Sequence, residues 1–198
     1  RQGGPAGYGL RRVLVDQHGN HKAELARGEH KSLQTDRVIL VPGPEDEVRT
    51  VNNIYRWFIE EGLSEFHIAA RLNSTGVRTD LEREWTRASV SEVLTNEKYI
   101  GNNIFNKRSS KLRTASIGNP PEMWIRKEAA HEGIVPKDVF IAAQKVFQAR
   151  AARYSDDHLI DKLRELLRRT GWLSAKVITQ SPGMPAIKTY ADHFGSLK

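Results

Sequence analysis

Residues 62–101, GLSEFHIAARLNSTGVRTDLEREWTRASVSEVLTNEKYIG, mark the starts of two short helices and the end of one, and this punctuation constrains the fold more than any other part of the chain. Ser64 is placed to accept a backbone N–H as the N-cap of the first helix, with Leu63 and Ile68 at the spacing of a hydrophobic staple. Thr86 repeats the arrangement for the second helix, flanked by Trp85 and Val90. Gly76, just past Arg71-Leu72-Asn73, suits the left-handed position that closes a helix. The expected unit is two capped helices separated by a basic turn, which is how a chain presents a helix to DNA.

On the second helix Val90, Val93 and Leu94 form an inward i, i+3, i+4 stripe. That leaves Arg87, Ala88, Ser91, Glu92 and Thr95 on the outer face as the expected base-reading set. Arg matches the guanine edge, Glu accepts from cytosine N4, and Ala or Thr touches a thymine methyl. The same face also fits an ordinary solvated helix in a helical hairpin, and composition weighs on the choice. Lys and Arg outnumber Asp and Glu by 31 to 24, a net charge of +7 that suits a nucleic-acid partner. Lys107, Arg108, Lys111 and Arg113 crowd one run without an acid, expected as a mobile loop after a strand at Tyr99–Phe105 that neutralises phosphates without reading sequence.

Elsewhere, alternation from Tyr8 to Val15, the turn residues DQHGN and the β-branched run Arg37–Val41 predict a small antiparallel sheet. Pro44 and the acids Glu45, Asp46 and Glu47 suit a first helical turn, where the dipole favours anions; Val48, Val51, Tyr55 and Phe58 line one face of that helix. A strand is expected at Trp124–Arg126, and a helix from Pro136 through Phe140, Ala143, Val146 and Phe147 toward Arg153. Residues 151–156 are expected to form a hinge. Beyond it Asp156 or Asp157 caps a helix bearing Leu159, Ile160, Leu163, Leu166 and Leu167, ended by Gly171. Ser174 then precedes a short helix, a Pro/Gly turn and another helix; Gly171, Ser174 and Ile178 echo Gly62, Ser64 and Ile68. The expected class is therefore α+β and mainly helical, with a helix-turn-helix and a small antiparallel sheet in residues 8–150 and a small all-α domain in 151–198.

The chain contains no Cys, which excludes disulfides and cysteine zinc sites. His18, His21, His30, His131, His158 and His193 supply no ordered four-ligand set, so neither metal nor cofactor is expected, and His131 is read as fixing a loop. The longest apolar run, Val38–Val41, is far short of a membrane helix. The first residues, Arg1-Gln2-Gly3-Gly4-Pro5, lack an initiator Met and a signal-like segment and read as a cut through a longer protein. A cytoplasmic, nucleoid-associated location in a bacterium or phage is expected, with no membrane and no small-molecule substrate.

GGPAGYGLRR near the start, EVRTVNNIYRWFIEEGLSEFHIAARLNSTGVRT, WTRASVSEVLTNEKYIG, and HEGIVPKDVF with QAR occur in an order that resembles the recombinase domain of large serine recombinases, the phage integrases and transposon resolvases. The resemblance runs from about Gly3 to Arg150. Thr189-Tyr190 and His193–Leu197 resemble a small DNA-binding repeat also attached to homing endonucleases. The family likeness implies a double-stranded attachment site as partner and self-association in the full-length protein. It also implies a catalytic serine in a domain preceding Arg1, so that no catalytic residue is assigned in this chain. Ser109 and Ser110, in a presumed loop, lack the rigid placement such chemistry needs, and the fragment is expected to bind DNA without cutting it. Residues 1–7 become a minor-groove linker in which Arg1 enters the groove and Gly3-Gly4 allows close approach. Arg11 and Arg12, with Arg71, Arg78 and Lys98, become phosphate contacts. The family's usual zinc ribbon needs cysteines this chain lacks, and the tail stands in its place as a second DNA contact. Two alternatives stay open: a tandem helix-turn-helix transcription regulator on a palindromic operator, and a tail that joins protein partners at synapsis.

Overall fold

In a computed structural model of the chain, residues 5–26, 28–31, 33–109, 117–153 and 155–195 are described, with backbone alone at 152 and 153. Alternation places Val13 and Val15 of β1 (Leu10–Val15) in the core, and Leu10 is buried at the start of the strand. β2 (His21–Leu25) and β3 (Arg37–Pro42) flank it in an antiparallel sheet of order β2-β1-β3, with Val13 opposite both Glu24 and Ile39. The β1–β2 turn forms as expected because the Asp16 carboxylate accepts from the backbone N–H of His18 and of Asn20, at 2.8 and 2.9 Å.

α1 (Glu45–Ile59) buries Val51, Ile54, Tyr55 and Phe58. Ile54 replaces the expected Val48, which is half-buried, because the stripe is turned toward the 51/54/55/58 face. α2 (Glu65–Ser74) buries Ile68, Ala69 and Leu72, and α3 (Arg87–Thr95) buries Val90, Val93 and Leu94. The Tyr55 hydroxyl donates to the Val93 carbonyl at 2.8 Å, fastening α3 to α1 inside the core.

The expected strand from Tyr99 is corrected. Residues Glu97–Ile100 form a short 3-10 helix, started by the Asn96 side chain accepting from Lys98 N–H and ended by Gly101 at φ +85°. A side chain at Gly101 would collide with the His131 carbonyl oxygen, so the turn closes only because the chain is bare there. Pairing begins later, at β4 (Asn103–Phe105). The basic run is corrected too: β5 (Arg108–Ser109) pairs antiparallel with β6 (Ile117–Gly118), while Ser110, Lys111 and Arg113 lie outside the described residues. β7 (Ile125–Lys127) pairs with β4 and starts one residue later than expected, since Trp124 turns its indole N–H to the Asn119 carbonyl.

α4 (Lys137–Arg153) is tied to α3 by the Gln144 side-chain amide, which donates to the Leu94 carbonyl at 2.7 Å. It stays helical through 151–153, where a hinge was expected. The chain divides into two compact units, residues 1–144 and 145–198. In the second, α5 (Asp156–Thr170), α6 (Ala175–Gln180) and α7 (Ile187–Phe194) enclose Leu159, Leu166, Ile178 and Tyr190, with Leu163, Val177, Met184 and Ile187 packed around them. Ser155, one residue before the expected cap, accepts from His158 N–H, leaving Asp156 and Asp157 as first-turn acids. Gly171 at φ +79° ends α5 and Ser174 caps α6, both as expected. The whole is α+β, mainly helical, with small antiparallel sheets. Among the described residues no helix is long and apolar enough to cross a membrane.

Candidate nucleic-acid interface

The outer face of α3 is built by its entry. Thr86 accepts from Ser89 N–H at 3.2 Å while the Ser89 hydroxyl oxygen accepts from Thr86 N–H at 2.8 Å, a reciprocal capping box made with serine instead of the usual Glu or Gln. One residue earlier, the Asn73 side chain grips Trp85 twice: its amide donates to the Trp85 carbonyl at 2.9 Å and its oxygen accepts from Trp85 N–H at 2.8 Å. The buried Trp85 ring meets Tyr8 edge-on, with centroids 4.9 Å apart. Helix start, preceding helix and sheet entry are thus locked together, and side chains on the first turn of α3 are held by a rigid base.

Asn73 was passed over in the sequence, where an Asn in a last helical turn looks like an ordinary terminus residue. The connection it braces also differs from expectation. α2 ends at Ser74 and α3 begins at Arg87, so residues 75–86 separate them, well beyond the 3–4 residues of a simple helix-turn-helix. Nor is that segment basic: Arg78 and Arg83 stand against Asp80, Glu82 and Glu84, and Arg78 pairs with Glu84 at 3.0 Å.

Arg87, Ala88, Glu92 and Thr95 are exposed on one face, with Ser91 half-buried between them. The Arg87 side chain is 77% exposed, and its Nε lies 3.9 Å from Oε1 of Glu65, a largely buried acid at the first turn of α2. This contact engages the inner nitrogen, and most of the side chain stays in solvent. One Glu92 oxygen accepts from the Asn96 amide at 2.6 Å, leaving the other to accept elsewhere. The Thr95 hydroxyl donates to the Ser91 carbonyl at 2.7 Å, so its methyl and oxygen lone pairs are what it offers outward.

The expected phosphate contacts separate into groups. Arg11 makes a bidentate pair with Glu47, at 2.6 and 2.9 Å, with Glu24 at 3.5 Å; the bond to Glu47 raises its pKa above the ordinary value. Its fork is used inside the protein. The Arg12 guanidinium donates to the Glu29 carbonyl at 3.1 Å. Lys98 is half-buried with its Nζ 3.5 Å from the Pro5 carbonyl, and desolvation holds its pKa below the ordinary lysine range. Lys107 lies over the Trp124 ring at 5.1 Å. Arg71, over Trp57 at 4.8 Å and paired with Glu61 at 2.7 Å, and Arg78 are partly exposed; surface pairs of this kind are worth about 0–1 kcal/mol and exchange readily for a phosphate. Arg108 is exposed on β5, and Arg1, Lys111 and Arg113 lie outside the described residues.

His131 does fix a loop, donating from Nε2 to the Lys98 carbonyl at 2.9 Å, and burial lowers its pKa. Among the described residues no group of three or more His, Cys, Asp or Glu could hold a metal. A family model described as Recombinase matches residues 45–150, from α1 into α4 and across both α2 and α3. No curated protein matches the chain.

Proposed function

The chain belongs to the Recombinase family, and from that premise we propose that it binds duplex DNA sequence-specifically, at attachment half-sites, as the targeting part of a serine-type site-specific recombinase. DNA recombination and a DNA partner come with the family. The finer reading is carried by one observation: a capped helix, clamped at its entry by Asn73 and fastened by Tyr55, presents Arg87 with most of its side chain in solvent beside Ala88, Ser91, Glu92 and Thr95. Small and polar groups on a rigid helix suit the major groove, where each good bidentate contact discriminates by about 1–3 kcal/mol. Arg71, Arg78 and Arg108 flank as positioning contacts to phosphate, and the second unit adds a further contact to the same duplex.

Selection from random duplexes at fixed salt tests this. One motif longer than a single helix can cover should be enriched, and Arg87→Ala should lose about 1–3 kcal/mol of preference at one position while keeping the rest. A palindromic motif bound by a dimer would favour a transcription regulator. Uniform weakening on every sequence by Arg87→Ala would show that α3 does not read bases.

A further inference from the structure

Net charge is unevenly shared between the two units. Residues 145–198 hold ten Lys and Arg against five Asp and Glu, whereas residues 1–144 hold 21 against 19, so the smaller unit carries +5 of the chain's +7. In that unit Arg164 pairs with Asp161 at 3.0 Å. Arg168 and Arg169, in the last turn of α5, and Lys176, at the start of α6, are exposed and pair with no described residue. Between them Trp172 stands 59% exposed, just past the left-handed Gly171.

Helix stabilisation accounts for part of this pattern only. Cations in the last turn of α5 favour its dipole, but Lys176 lies in a first turn, where the dipole disfavours a cation. Like charges with no described partner, close in sequence to an exposed indole, also raise the folded state's self-repulsion. A polyanion that brings its own charges removes that cost.

We infer that Arg168, Arg169, Trp172 and Lys176 form a second nucleic-acid interface that grips the duplex backbone without reading sequence. The identity of the polyanion rests on the DNA-binding reading above. Cations on phosphates release counterions and set affinity and salt dependence, and a ring at the same place packs on sugar. The labour is then divided: α3 supplies discrimination and the α5–α6 junction supplies grip.

The test uses the full chain, the selected duplex and a scrambled duplex of equal length, titrated as salt is raised. Arg168→Gln/Arg169→Gln/Lys176→Gln should flatten the plot of log affinity against log salt by up to about 2.7, three contacts at about 0.9 each, and should weaken both duplexes alike. The charge-conserving Arg168→Lys/Arg169→Lys should keep the original slope, which separates lost charge from lost folding. An unchanged slope in the triple glutamine variant overturns the inference and assigns the patch to another partner, such as an acidic protein surface. A fall in the ratio between selected and scrambled duplex overturns it as well, by making the patch a sequence reader. If no motif is ever selected but the slope still falls, the half-site reading fails and the grip stands.

Discussion

Cations in the two units do different work. In residues 1–144 several are stitched into the fold: Arg11 joins β1 to α1 through Glu47, Lys22 meets the buried Asp36 at 2.9 Å, and Arg126 of β7 meets Glu97 at 2.8 Å. In residues 145–198 Arg168, Arg169 and Lys176 stand free of any described partner, and the core is built on Leu159, Leu166, Ile178 and Tyr190. A basic composition therefore has two meanings within one chain. A paired cation contributes to stability and adds little to the field a polyanion meets, whereas an unpaired one does the reverse.

The largest way to break this comparison is through the small core. Leu166→Ala should cost about 2–5 kcal/mol, because that unit has few other buried side chains to absorb the cavity, and amide exchange across α5–α7 should accelerate accordingly. Unchanged protection there would mean that the unit does not depend on this cluster. Next comes Arg11→Ala, which removes two charge-assisted bonds and should cost roughly 1.5–3 kcal/mol in denaturant unfolding, with the salt slope of DNA binding left as it was. A lowered slope with stability intact would return Arg11 to the phosphate-contacting set and erase the contrast. The smallest effect concerns His131, whose folded pKa is held below the ordinary 6.5 by burial and by the nearby Lys98 ammonium, against its bond to the Lys98 carbonyl. Its neutral form is the one the fold accommodates, so its contribution is complete above pH 6.5 and declines as pH falls through the folded value. His131→Gln should flatten that acid limb, read from melting as pH is lowered from 7.

Much of α2, α3, α5 and α6 could be read from residues three and four apart. Ser64, Thr86 and Ser174 cap where their spacing to the following apolar residues placed them, and Gly76 and Gly171 take the left-handed conformation that a helix end requires. The outer face of α3 followed from the same periodicity, since Val90, Val93 and Leu94 had to turn inward. Tyr99 misled because an aromatic beside Ile100 suits a strand as well as a 3-10 turn, and what decided was Asn96 capping one end and Gly101 passing under His131 at the other.

Cap positions and inward faces are interactions within one turn of chain, so composition and order settled them before any packing. Which cations remain free was settled elsewhere. Glu47 reads locally as a first-turn acid serving a helix dipole, yet it accepts from Arg11 and from Gly9 N–H, 36 and 38 residues away. Asn73 holds Trp85 across a 12-residue gap, and Glu65 stands beside Arg87. An ion pair needs two heavy atoms within 4 Å, and only the folded backbone brings residues so distant in order to that separation. Charge content was therefore a property of the chain, and the availability of each charge to DNA a property of its tertiary structure.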